Sequence, residues 1–107
     1  MDTETPLRFS ILTPTYNRAH TLPKVYQSLR QQTLQDLEWI VVDDGSSDTT
    51  TALIKYWQKD APFPIRYFKQ ANVGHHVATN KAIQEAKGEF CVPLDSDDQL
   101  VSKGLER

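Results

Sequence analysis

Short apolar runs alternate with helical patterns along the chain. Residues 7–13 (Leu-Arg-Phe-Ser-Ile-Leu-Thr) are β-prone and predict a first strand, ended by Pro14 because proline cannot donate to a central ladder. Thr21 can cap a helix in which Leu22, Val25, Tyr26 and Leu29 recur at i, i+3, i+4 and i+7, with Pro23 in the first turn where its missing N–H does no harm. One face of that helix packs. Residues 37–42, apolar throughout over Trp39-Ile40-Val41-Val42, read as a strand buried on both faces, as in parallel sheets, and run straight into Asp43-Asp44-Gly45. Ser46, Ser47 or Asp48 can cap a second helix that carries Ala52, Leu53, Tyr56 and Trp57 on one side and is broken over residues 60–64. Residues 65–68 make a third, shorter strand. Asn72-Val73-Gly74 then turns the chain into a helix with Thr79, Ala82, Ile83 and Ala86 along one stripe, stopped by Gly88 with Lys87 in its last turn. Residues 89–94 form the fourth strand, in which Pro93 predicts that the ladder fails or bulges.

Strands that alternate with helices predict an α/β fold: a three-layer sandwich in which right-handed crossovers build a mostly parallel sheet with helices on both faces. Ligands of such sheets bind beyond the carboxyl ends of the strands. Three polar clusters fall on that edge: Thr13-Pro14-Thr15-Tyr16-Asn17-Arg18 after strand one, Asp43-Asp44-Gly45-Ser46-Ser47-Asp48 after strand two, and Asp95-Ser96-Asp97-Asp98 after strand four.

Each cluster has a chemistry. Asp95, Asp97 and Asp98, crowded within four residues, repel one another and raise one another's proton affinity unless a cation or donors neutralise them. Oxygen-only ligands suit hard ions, so Mg²⁺ or Mn²⁺ bridging substrate phosphates is the simplest neutraliser; the alternative is an acidic loop that caps the next helix. An acidic residue at the end of strand two can accept hydrogen bonds from a ribose or the imide of a base, while Gly45 permits the tight turn. Tyr16 can lie against a base and Arg18 can grip a phosphate in a bidentate fork, or the two are a packed loop aromatic and a solvated charge. Asp48 reads as a helix cap.

Composition narrows the classes. The chain has 107 residues, enough for one domain, with 38% hydrophobic and 24% charged residues, which is ordinary for a globular protein. A net charge of -2 and the lack of a basic run argue against nucleic acid as a partner. No apolar stretch is long enough to span a bilayer, and the first six residues lack the pattern of a signal peptide, so the expected location is cytoplasmic. The single cysteine, Cys91, excludes a disulfide framework or zinc cluster and reads as a buried small apolar side chain.

From Phe9 to Leu105 the residues resemble the family 2 glycosyltransferases of GT-A, Rossmann-like fold. The first two signatures are Thr13-Pro14-Thr15-Tyr16-Asn17-Arg18 and Ile40-Val41-Val42-Asp43-Asp44-Gly45-Ser46-Ser47-Asp48. Asn72-Val73-Gly74-His75-His76 through Asn80, with Ala86-Lys87-Gly88-Glu89, is similar to the third block, and Leu94-Asp95-Ser96-Asp97-Asp98 to the metal motif. The resemblance implies strand order 3-2-1-4 and a nucleotide-sugar site drawn from Pro14, Thr15, Tyr16, Arg18, Asp43, Asp44, His75, Asp95 and Ser96. Of these, Pro14, Tyr16 and Asp44 would line the base and ribose pocket. Asp97 would be the principal contact of Mg²⁺ or Mn²⁺, Asp95 would reach the ribose or a metal-bound water, and Asp98 would support them. His75 stands where many relatives carry a lysine, so it either contacts phosphate or base or, with His76, caps the following helix.

The resemblance further implies sugar transfer from a nucleotide-sugar donor, with UDP the expected carrier, to a saccharide, lipid-linked or protein acceptor, with inversion. Residues 1–107 would be the donor-binding part of one GT-A domain, inactive alone, with the acceptor part and the catalytic base lying beyond Arg107. In the full-length protein the expected site of action is the cytoplasmic face of a membrane. An open sheet edge in the fragment would favour a homo-oligomer. A dinucleotide-dependent dehydrogenase is disfavoured because no G-x-G-x-x-G turn follows strand one. An aspartyl-phosphate phosphotransferase would want its Asp-x-Asp after the first strand rather than the fourth. The remaining alternative is a non-enzymatic α/β interaction domain with an acidic cation or partner site.

Overall fold

The computed structural model describes residues 8–33 and 35–96. Four strands, β1 (Phe9–Thr15), β2 (Leu37–Asp43), β3 (Ile65–Lys69) and β4 (Phe90–Pro93), alternate with α1 (Leu22–Arg30), α2 (Thr50–Asp60) and α3 (His75–Glu85). The strands form one sheet in the order β3-β2-β1-β4, and every pairing is parallel. This is the α/β arrangement and strand order expected from the sequence.

Strand alternation assigns the two faces. Phe9, Ile11, Leu37, Trp39, Val41 and Ile65 pack against Leu22, Val25, Tyr26 and Leu29 of α1 and Ile54 and Trp57 of α2. Leu12, Ile40 and Val42 face the other way, against Ala78 and Ala82 of α3. The larger core is aromatic: Tyr26 stacks on Trp57 at 4.6 Å between centroids, and the Trp39 indole N–H donates to Thr13 Oγ1 at 2.8 Å. A side chain of this size that is fully withdrawn from water contributes about 1.5–3 kcal/mol, so the all-buried β1 and β2 form the rigid centre of the molecule.

Several boundaries and faces differ from the sequence expectation. β1 does not end at Pro14 but pairs on through Thr15. Leu12 and, by alternation, Pro14 direct their backbone polar groups toward β4, whose pairing with β1 stops at Pro93, so the N–H that proline lacks has no ladder to complete. Pro93 in turn points its missing donor away from β1. The expected failure of the ladder is mild, since Leu94 N–H still donates to Leu12 O at 2.9 Å.

α2 buries Thr50, Ile54 and Trp57 rather than the stripe containing Ala52 and Tyr56, both exposed, because the Trp57–Tyr26 stack fixes its rotation. α3 presents Ala78 and Ala82 to the sheet and leaves Ile83 half exposed. Two small residues one turn apart let its backbone approach the β-branched surface of β2. It ends at Glu85, so Lys87 is not in its last turn. Instead Lys87 N–H donates to Glu38 Oε2 and Gly88 N–H to Ser10 Oγ, each at 2.7 Å. A Cβ on Gly88 would stand 2.8 Å from the Phe9 carbonyl carbon, which explains a glycine here by close approach.

Thr21 occupies the N-cap position of α1 without accepting a capping bond, and Thr49, rather than Ser46, Ser47 or Asp48, occupies that of α2. Asp48 comes close to the expected cap, since its Oδ1 accepts the Thr50 N–H at 3.0 Å and the Thr50 hydroxyl at 2.6 Å. Cys91 is exposed, not buried, because β4 lies at the sheet edge with only β1 beside it among the described residues. Among the described residues, no helix is long and apolar enough to cross a membrane.

Candidate nucleotide-sugar site

The exits of β1, β2 and β4 meet at one rim, together with the start of α3. They enclose a cleft of about 480 Å³ lined by Pro14, Thr15, Tyr16, Arg18, Asp44, Asn72, His75, Ala78, Asp95 and Ser96. Of the residues singled out from the sequence, the structure brings Pro14, Thr15, Tyr16, Arg18, Asp44, His75, Asp95 and Ser96 into this lining. Asp97 and Asp98 lie outside the described residues.

Asp43 does not reach the cleft. It continues the alternation of Trp39 and Val41, so its carboxylate turns toward the α1/α2 side, where Oδ2 accepts the Tyr67 hydroxyl and Oδ1 accepts Ser46 N–H at 2.8 Å. Burial, then the bond to Asp43, pushes the Tyr67 hydroxyl well above its ordinary pKa, so it stays a donor.

Asp44, one residue on, sits past the end of the ladder. Its N–H donates to Thr15 O at 2.9 Å, which ties the two exits together. Gly45 makes the turn with φ 85°, and a Cβ there would stand 3.0 Å from the Asn72 nitrogen. The Asp44 side chain organises the chain after β3: Oδ1 accepts from Gln70 Nε2 at 3.0 Å and Val73 N–H at 2.9 Å, and Oδ2 accepts from Gly74 N–H at 3.0 Å. The Gln70 bond, followed by the one from Val73, holds this carboxyl below the usual range despite burial, so it is ionised at neutral pH. A carboxylate has about four lone-pair sites, so Oδ2 retains acceptor capacity for a group entering the cleft.

Tyr16, 49% exposed, also lines the cleft. Arg18 is exposed beside it, and its carbonyl accepts the N–H groups of Thr21 and Leu22 that open α1. His75 is the first residue of α3 and exposed; that helix has no side-chain cap, so neither His75 nor His76 caps it. His75 lies in the cleft wall.

Ser96 is tied to the N-cap of α1, where the Thr21 hydroxyl donates to Ser96 O at 2.6 Å. No hydrogen bond or ion pair engages the exposed Asp95 carboxylate among the described residues, which leaves a hard oxygen donor open to the cleft. That donor chemistry fits a hard divalent cation. Among the described residues no group of three His, Cys, Asp or Glu stands together as a ready metal cage. A cation held at Asp95 would need further oxygen donors, such as water and phosphate oxygens, to complete its shell.

Sequence reading missed the roles of Asn72, Ala78 and Gln70. Ala78 lines the cleft from α3, and in the sequence it was legible only as a helix residue. Gln70 follows a strand with no motif around it, and nothing in its sequence context marks it. The choice between Asp43 and Asp44 did carry a signal, since only one of two consecutive side chains can share the face of Val41.

Known proteins resemble this chain in sequence and in fold. Residues 10–107 match the family model for glycosyl transferase family 2. A GalNAc(5)-diNAcBac-PP-undecaprenol β-1,3-glucosyltransferase from Campylobacter jejuni is 40% identical over 100 residues, which is 92% of this chain and 32% of that protein. The structure of Staphylococcus aureus TarS residues 1–349 with UDP superposes with a TM-score of 0.85 at 29% identity, over 92% of this chain and 30% of that one. A mannosyltransferase from Pyrobaculum calidifontis, in complex with GDP-mannose and Mn²⁺, gives 0.81 at 28% identity, over 92% and 29%. The chain thus spans about a third of the length of the relatives it matches.

Proposed function

This chain belongs to glycosyl transferase family 2, and from that premise we propose that it is the donor-binding part of an inverting nucleotide-sugar glycosyltransferase. The observation that carries the reading is the shared rim, where an aromatic residue, a cation, an ionised carboxylate acceptor and an open carboxylate (Tyr16, Arg18, Asp44 and Asp95) line one cleft. No single loop of the sequence holds all four.

In this reading the Tyr16 ring lies against the base and Asp44 Oδ2 accepts from a ribose hydroxyl or the base imide. Arg18 and His75 stand at the mouth, where their charge or N–H groups meet the diphosphate. Asp95 would hold the divalent ion, Mg²⁺ or Mn²⁺, together with Asp97 and Asp98 of the same motif. When bound, such an ion stabilises charge developing on the departing diphosphate. The acceptor hydroxyl oxygen forms the new bond to the anomeric carbon as the bond from that carbon to the diphosphate oxygen breaks, which inverts the centre. The acceptor's proton passes to a base that we assign to no residue of this chain.

UDP is the carrier proposed. A lipid-linked saccharide is the acceptor class proposed, on the -PP-undecaprenol acceptor in the name of the Campylobacter relative. A cytoplasmic location, at the cytoplasmic face of the membrane in the full-length protein, fits that acceptor. The alternative, a non-enzymatic interaction domain, has no observation in its favour.

Calorimetric titration with UDP tests the assignment. Binding should tighten with Mn²⁺ and weaken with chelator, with Asp97→Ala and with Tyr16→Ala. Affinity indifferent to all of these would contradict it.

A further inference from the structure

Between the exits of β1 and β2 lies a set of cross-bonds that the donor site itself does not use. Asn17 is the one described residue other than glycine with a left-handed backbone, at φ 52°. Asparagine tolerates that region better than other side chains, and its short amide can bond locally. Here the amide bonds across to the next loop. Asn17 Oδ1 accepts Ser47 N–H and Asn17 N–H donates to Ser46 Oγ, each at 2.8 Å. Two residues on, Ala19 N–H donates to Asp48 Oδ2 at 3.1 Å.

The far end of this latch is fixed in turn. Ser46 N–H is held by Asp43 Oδ1, and the other oxygen of Asp43 takes the Tyr67 hydroxyl, which also bonds Thr51 of α2 at 2.7 Å. A chain of hydrogen bonds thus runs from β3 and α2 through Asp43 and Ser46 to the residue between Tyr16 and Arg18. Asp43, which the cleft does not use, acquires a role here. Tyr16 itself is half exposed, so packing alone cannot hold its ring ready for a ligand.

We propose that Asn17 is a positioning residue for the donor site: its left-handed backbone and two bonds to the β2 loop set the Tyr16 ring against the base. The inference rests on the donor-pocket reading above. It concerns a residue outside the cleft lining, and it acts through Tyr16.

Titration of UDP into the protein as expressed from its own gene, with Mn²⁺ present, tests it. Asn17→Ala removes both the conformational tolerance and the acceptor and should weaken UDP binding about tenfold. Asn17→Gly keeps the backbone and loses only the acceptor, so its loss should be about threefold. In a Tyr16→Ala background the Asn17→Ala change should cost nothing more, a result a merely structural role would not produce.

Wild-type-like affinity in a folded Asn17→Ala protein, or a full further loss in the Tyr16→Ala background, overturns the proposal. If Asn17→Ala does not fold, Asn17→Gly and Ser46→Ala decide, and affinity within twofold of wild type in both overturns it. A wild-type protein that binds no nucleoside diphosphate removes the donor-pocket reading and this inference together, whereas binding that ignores Asn17 removes the inference alone.

Discussion

Two carboxylates, Glu38 and Asp44, are buried at opposite ends of β2, and their surroundings give them different work. Glu38 is the second residue of β2, 1% exposed, and is enclosed by protein donors: Ser10 Oγ and Lys87 N–H at 2.7 Å, and Arg66 at 3.3 Å. Arg66 is shared with Glu85 at 2.8 Å. This network closes the amino-terminal end of the sheet and anchors the turn that leads into β4. Asp44 accepts a comparable set of bonds but stands in the wall of a cleft with part of Oδ2 free. Burial of an acid is therefore no mark of function by itself. An acceptor that is held by protein and still open to a cavity is.

Removing each acid should separate the two roles. Glu38→Ala leaves the Ser10 hydroxyl and the Lys87 N–H without their acceptor while Arg66 keeps Glu85, and should cost about 2–4 kcal/mol of stability in urea unfolding. UDP affinity of the folded fraction should stay within about twofold. Asp44→Ala should do the reverse in emphasis: about 1.5–3 kcal/mol lost from UDP binding by calorimetry, with a smaller loss of stability from the loosened Val73–Gly74 turn. Equal effects of the two substitutions on UDP affinity would erase the distinction.

Acid titration sharpens it further. The Asp44 carboxyl is held below its ordinary value of 3.8 by Gln70 and Val73. Its folded-state affinity for the proton is thus weaker than in the unfolded chain, so its stabilisation is complete above that value and disappears as pH falls through the folded-state pKa. Stability measured from neutral pH down to about pH 2 should lose this contribution only at the acid end, and Asp44→Asn should flatten that part of the curve. The smallest effect belongs to the edge strand. Cys91→Ser should change stability by no more than about 0.5 kcal/mol, because the side chain is exposed.

The parts of the fold that local pattern determines were legible in the sequence. β2 announces itself by the unbroken apolar run Trp39-Ile40-Val41-Val42, and α1 by Leu22, Val25, Tyr26 and Leu29, all of which are buried. The rotations of α2 and α3 were not, since each is set by a partner: the Trp57–Tyr26 stack turns Thr50 inward, and Ala78 and Ala82 face the sheet while the larger Ile83 does not. Helix and strand ends likewise depend on tertiary bonds, as when Lys87 and Gly88 leave α3 for Glu38 and Ser10. The candidate site was legible because a parallel sheet gathers its strand exits at one rim whatever lies between them. What the sequence left hidden was the cross-loop bonding of Asn17, Ser46 and Gln70, which exists only once the loops are neighbours.

Amide hydrogen exchange with and without UDP and Mn²⁺ tests the central claim most directly, because it reads both ends of the sheet in one protein. Slower exchange on addition of nucleotide is predicted for residues 15–18, 73–75 and 95–96, with residues 10, 38 and 87–88 unchanged. Protection confined to the Glu38 end, or spread evenly over both, would contradict a donor site at the carboxyl rim.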